Sequence, residues 1–142
     1  MSGSIKERNI RYSNLVASEI ELDLVNEEFD YGFGIGKADN YGYQNDWIVT
    51  IEIEYGQSHP NTNVVKVWPY LDKTENERIC LIHIILPHPN KKISPNRINL
   101  CDFVANKINA EYSERFKYYR MNWNENKRAW LPGLKSLKTE IL

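Results

Sequence analysis

The chain has little of what marks specialised chemistry. It holds two cysteines, Cys80 and Cys101, far apart and at no metal-binding spacing, which excludes a disulfide framework or a zinc site and predicts two buried free thiols in a cytoplasmic protein. His59, His83 and His88 form no His-x3-His pair, and no nucleophile elbow is present. Gly32, Gly34 and Gly36 alternate along an expected strand and do not open a helix, so they make no phosphate loop. The longest apolar run, 79-ICLIHIIL-86, is too short to cross a bilayer, and the start MSGSIKERNIRYS has no apolar stretch of the secretory kind. No membrane partner is expected.

What is present is an ordinary globular composition, 42% hydrophobic and 26% charged over 142 residues, enough for one domain with a real core. Net charge is −1, but it is unevenly placed. Residues 1–71 hold 5 Lys/Arg against 11 Asp/Glu, and residues 72–142 hold 13 against 8. An acidic half beside a basic half suits a cation site next to a polyanion-binding surface, although uneven scatter gives the same count.

The first dozen residues are polar and are expected to be loose at the very end. From Ser13 the chain fits either a capped helix or, over Glu19–Leu24, an alternating strand. Residues 31–46 and Trp47–Tyr55 read as two arms of a hairpin, with the loop centred near Gly42. A short helix is expected from Asn61 to Trp68, ended by Pro69. Residues 78–87 read as a strand buried on both faces, with His83 as a hydrogen-bonded core residue. Ser94-Pro95 opens the best helix, whose stripe is Ile98, Cys101, Ala105 and Ile108. Residues 114–123 read as a strand, RAWL as a segment pairing back, and Pro132-Gly133 as a break before a last short helix. This order predicts a single α/β (α+β) domain over 1–142 with a mixed central β-sheet flanked by helices.

The informative stretch is 51-IEIEYG-56. Glu52 and Glu54 are two apart on an expected strand, so they share one face, while Val49, Ile51 and Ile53 take the other. A plain solvent face is one reading. The other comes from closing the hairpin: a loop at Gly42 sets Asp30 opposite Glu54 and Gly32 opposite Glu52, so that Asp30, Glu52 and Glu54 converge as oxygen ligands for Mg²⁺ or Mn²⁺. Asp39, in the expected loop, and Asp46, at the far end of the strand, fit less well.

An Asp followed about twenty residues later by Glu-x-(Lys or Glu), at the end of a paired strand with a helix after it, resembles the PD-(D/E)XK nuclease superfamily. EIEYG is similar to the variant in which a second Glu replaces the usual Lys. The resemblance covers residues 15–90 in element order and implies a restriction-endonuclease-like core of about 13–123 with a C-terminal hairpin and helix extension. It also implies a small metal-dependent endonuclease acting on DNA as a possible homodimer, with Asp30, Glu52 and Glu54 as metal ligands. The sequence departs from the pattern in having Phe29, not Pro, before Asp30. Lys66, on the polar side of the following helix, is the candidate for the missing Lys, with Asn63 one turn earlier; Gln57, just past the strand, is a further candidate to orient a water or a phosphate. Lys91, Lys92 and the interleaved 115-RFKYYR-120, with Arg115, Lys117 and Arg120, are candidate DNA contacts. A binding or adaptor domain of the same fold that does not cleave is the competing reading.

Overall fold

The structure is a computed structural model and describes residues 4–142. Its centre is a four-stranded mixed sheet in the order β3 (Asn40–Gln44), β4 (Trp47–Glu54), β5 (Ile79–Ile85), β6 (Phe116–Asn122). β3 runs antiparallel to β4, while β4, β5 and β6 are parallel. The parallel crossovers run through α2 (Asn61–Val65) with α3 (Val67–Lys73), and through α4 (Pro95–Glu111). α1 (Ile5–Ser18) and α5 (Leu131–Ile141) cover the opposite face. A separate two-stranded hairpin, β1 (Phe29–Asp30) and β2 (Lys37–Ala38), precedes β3.

Two apolar clusters fill the layers. On the α1/α5 side Val49, Ile51 and Ile53 of β4 pack with Cys80, Ile82 and Ile84 of β5 against Val16, Ala17, Leu134 and Leu137. On the other side Ile48, Ile79, Leu81 and Phe116 meet Val64, Val67, Leu71, Cys101, Ala105 and Ile108. Every residue of β4 is buried, so the solvent-face reading of Glu52 and Glu54 is overturned. The buried strand, the Ser94-capped helix and the strand in 114–123 stand where periodicity predicts them. Both thiols are free and buried, and none of the helices among the described residues is long and apolar enough to cross a membrane.

Several expectations need correction. The N-terminal helix starts at Ile5, capped by Ser4, whose Oγ accepts from the Glu7 N–H, and Ser13 is buried within it and does not cap it; the expected loose end lies outside the described residues. Pro69 does not end a helix. It lies in the first turn of α3, where its missing N–H costs no intrahelical bond. RAWL does not pair back: residues Lys127–Ala129 form a short 3-10 turn leading into α5, which starts at Leu131 and runs through Pro132 and Gly133. α5 is a layer of the core and not an appendage.

The hairpin register also differs. The turn is at Asn45-Asp46, with Asn45 in the left-handed region, and it sets Asn40 opposite Ile51 and Gln44 opposite Trp47. Gly42 sits within β3, where the chain at Leu24 crosses it; a Cβ there would lie 2.4 Å from the Asp23 carbonyl oxygen. Glycine at this position answers a close backbone approach, not a turn.

Candidate active site

The true register carries β3 one residue back to Asp39, opposite Glu52. Asp39 Oδ2 accepts from the Ile53 N–H at 2.8 Å, and the Asp39 N–H donates to Glu52 Oε1 at 3.2 Å. Each carboxylate is thus fixed by the other's strand. Lys66, the residue between α2 and α3, reaches back over the strand. Its Nζ lies 2.6 Å from Glu52 Oε2 and donates to the Lys37 carbonyl at 2.5 Å. Asp39, Glu52 and Lys66 therefore meet from three consecutive parts of the chain, beyond the tight turn and across the first parallel crossover. Gly36 lies against the Lys66 stem, a Cβ there falling 3.2 Å from its Cδ.

Glu52 is only 2% exposed. Burial raises its carboxyl to about 8, against the downward pull of Lys66, with the Asp39 and Glu54 charges adding to the rise. Burial also lifts Asp39, which its bond from Ile53 N–H partly offsets. Desolvation outweighs the ion pair at Glu52, so this carboxyl holds a proton over a range where an exposed glutamate would not.

Glu54 has a different environment. Fully buried, its Oε1 accepts from Asn63 Nδ2 of α2 and lies 2.8 Å from His83 Nε2 of β5. His83 Nδ1 is 2.8 Å from the Tyr118 hydroxyl of β6. Burial pushes Tyr118 upward, which keeps its hydroxyl a donor. With Tyr118 donating to Nδ1, Nε2–H donates to the carboxylate, and the relay from β6 through β5 to β4 is closed. Among the described residues Glu54 Oε2 has no hydrogen-bond partner. His83 is thus a bonded core residue, as expected, and it also orients one of the two glutamates.

The remaining predicted site residues divide. Asn63 and Lys66 join the glutamates. Asp30 does not: it pairs with Lys37 in the small hairpin, and its Oδ1 accepts from the Gly32 N–H at 2.8 Å. The aspartate that meets Glu52 is Asp39. Gln57 folds back on its own strand end, accepting from the Tyr55 N–H. Lys91 and Lys92 are exposed in the loop after β5, and the Lys91 N–H bonds His88 Nδ1 beside Tyr55.

Arg115 is a structural clamp. Its guanidinium donates to the carbonyls of Leu71, Thr74 and Glu77, at the opposite end of the sheet from Glu54. Lys117 lies beside the buried Cys80 row on the α1/α5 side. Arg120 forks onto Asp102 of α4, with both bonds at 2.9 Å.

The arrangement offers two carboxylates on adjacent strands, a lysine on one of them, and a second glutamate with a spare oxygen. Among the described residues no three His, Cys, Asp or Glu side chains are gathered as a metal cage. Mg²⁺ asks for less: one or two carboxylates are its usual protein share, with waters and substrate phosphate completing six-fold coordination. Asp39 and Glu52 fit that donor set. Comparison of the chain with protein-family models, curated proteins and solved structures found no match in any of the three.

Proposed function

We propose that this chain is a small metal-dependent DNA endonuclease-like protein with a restriction-endonuclease-like core, hydrolysing phosphodiester bonds with Mg²⁺ or Mn²⁺ held by Asp39 and Glu52. The observation that carries the reading is the meeting of Asp39, Glu52 and Lys66 at the end of the only hairpin that feeds the parallel sheet among the described residues. With Asp39 in place of Asp30, the Asp precedes Glu52 by thirteen residues and not about twenty, and the pattern of Asp39, Glu52-x-Glu54 and a lysine from the following helix junction still resembles the PD-(D/E)XK superfamily. Bound there, the ion would polarise the scissile phosphate and make its own water more acidic.

The chain's residues would supply the rest. Lys66 sets a positive charge beside Glu52, where it can steady an attacking water or the charge growing on phosphorus. Glu54, held by His83 and Asn63, keeps its Oε2 without a partner among the described residues and would supply it as an acceptor for that water. Lys91 and Lys92 lie on the rim at which β4 and β5 end and would meet the DNA backbone.

A second reading is a domain of the same fold that binds DNA or a protein without cleaving. The closed ion pair between Glu52 and Lys66 favours it, because a cation would have to share that carboxylate. Plasmid and oligonucleotide cleavage with Mg²⁺ or Mn²⁺, against EDTA and against Glu52→Ala, decides between them. Cleavage lost in both controls supports the nuclease. DNA binding by wild type with no cleavage under any metal condition supports the adaptor.

A further inference from the structure

α1 contributes a surface that the site above does not use. Arg8 and Arg11 lie three apart, on one side of the helix, where neighbouring side chains start about 5–6 Å apart. The Arg8 guanidinium sits 4.9 Å above the Tyr55 ring and is steadied by Asn9 Oδ1, which accepts from Nε at 3.2 Å and Nη2 at 3.0 Å. The Arg11 guanidinium sits 4.9 Å above the Tyr12 ring, and Tyr12 meets Trp123 edge-on at 5.0 Å. Neither arginine has a carboxylate partner among the ion pairs of the described residues. Two guanidinium groups are held in place by aromatic rings and neither is tied up in an ion pair among the described residues.

These side chains line a groove of about 780 Å³ between α1 and the segments just past the ends of β4, β5 and β6. Two acids share it. Glu125 accepts from Trp123 Nε1 at 3.3 Å, and Glu7 stands in the first turn of α1. The groove floor, Tyr55, follows Glu54 directly and packs on His88 at 4.4 Å, next to Lys91. On the other flank of α1 lies a smaller hollow of about 260 Å³ bordered by Asp39, Lys6 and Asn9, and Ile5 lines both. The first two turns of α1 therefore divide the arginine groove from the Asp39 side of the candidate site.

We propose that this groove is a phosphodiester track, in which Arg8 and Arg11 take neighbouring backbone phosphates of a nucleic-acid strand. Phosphate suits the forked guanidinium, and a guanidinium plane or an aromatic ring offers bases a flat surface. An acidic peptide would use the charge but not the planes. That the strand continues toward Asp39 rests on the nuclease reading; the binding of phosphate at Arg8 and Arg11 does not.

The test is anisotropy of a labelled oligonucleotide, single-stranded and as duplex, titrated in EDTA across a salt series, so that neither metal nor cleavage enters. Arg8→Gln/Arg11→Gln should weaken binding roughly tenfold at 0.1 M salt, with the slope of log K against log salt shallower by about 1.4 on the single strand or 1.8 on the duplex. The larger change identifies which form the groove holds. Arg11→Gln alone, at an exposed position, should remove about half of the change and covers the case in which the double variant fails to fold. Lys107→Gln, at an exposed position of α4 that does not line the groove, should bind as wild type does.

An unchanged slope in the arginine variants overturns the track, even if wild type cleaves DNA with Mg²⁺. Equal arginine-dependent binding of poly-glutamate overturns the assignment to nucleic acid. A shallower slope without any cleavage leaves the track standing and removes the nuclease reading instead.

Discussion

Glu52→Gln should change the shape of the stability–pH curve, and the size follows from burial. The folded carboxyl is raised from 4.5 to about 8, while the unfolded chain keeps the ordinary value. The folded state thus binds the extra proton, so this group's contribution is fully present below pH 4.5 and is lost as pH rises through 8. At about 1.4 kcal/mol per pH unit, the loss comes to roughly 5 kcal/mol between those limits and about 2 kcal/mol by pH 6. Glutamine keeps the shape and cannot ionise. The difference in unfolding free energy, variant minus wild type, should climb from pH 5 to 8 and then level off.

Its absolute height also contains the cost of leaving Lys66 without its carboxylate, so the slope is the quantity to read. Urea unfolding at half-unit steps from pH 5 to 9 measures it. A flat difference curve would refute the reasoning, because Glu52 would then titrate like an exposed glutamate despite its 2% exposure.

The corrected register has its own test: Asp39→Asn should lower Mg²⁺-dependent cleavage at least about 100-fold, as loss of a charge-stabilising group does, while Asp30→Asn leaves it within a factor of two. Equal effects would return the site to the small hairpin. Lys66→Met should destabilise by about 3 kcal/mol at pH 9 and much less at pH 6, where Glu52 can take up a proton; equal losses at both pH values would contradict the buried pair. Tyr118→Phe leaves His83 Nδ1 without its donor and should cost about 1–3 kcal/mol in urea unfolding, and a neutral result would mean that the relay is not closed. Gly42→Ala places a methyl group 2.4 Å from the Asp23 carbonyl oxygen and should cost about 1–3 kcal/mol; an unchanged melting temperature would show that the crossing at Leu24 yields easily.

The parts of the fold written in the sequence were those with one dominant signal. The apolar run over residues 79–86 reads as a buried strand, and Ser94-Pro95 reads as a helix start, because no competing pattern overlaps them. α1 was illegible for a physical reason: its buried stripe is Asn9, Ser13, Val16 and Ala17, half of it polar, so hydrophobic periodicity is weak. The hairpin was misread at Gly42. A glycine between aromatics looks like a turn, but here it makes room for a crossing chain, and Asn45-Asp46 turns instead.

That one error set Gly32 opposite Glu52 and Asp30 opposite Glu54, where the true register brings Asp39 to Glu52. The pairing of strands carries side chains in fixed register, so a slip at the turn displaces everything beyond it. Glu52, Glu54, Asn63 and Lys66 were found because strand and helix spacing place them without reference to the turn. Arg8 and Arg11 carried no signal beyond polarity; only the fold brings Tyr55 and Trp123 to them.

Two glutamates in the middle of the best strand make poor sense as stability devices. Replacing a buried ion pair by apolar side chains is often neutral or stabilising by about 1–4 kcal/mol. β4 could have carried valine or isoleucine on both faces, as its Val49, Ile51 and Ile53 face does. Instead, each glutamate has its own set of partners drawn from different elements: Asp39 and Lys66 for Glu52, His83 and Asn63 for Glu54. The two sets also differ in kind. Glu54 is locked by a relay that runs three strands deep, while Glu52 is held at a raised pKa by burial and by the charge of an aspartate that borders an open hollow, against the pull of a lysine on a helix junction. A fold selected for stability alone would keep neither. Charges retained at such cost, one fixed and one poised, are what a site needs when it must offer an oriented acceptor beside an ionisable ligand, and this contrast is the physical ground for placing the proposed chemistry at Glu52 with Glu54 in support.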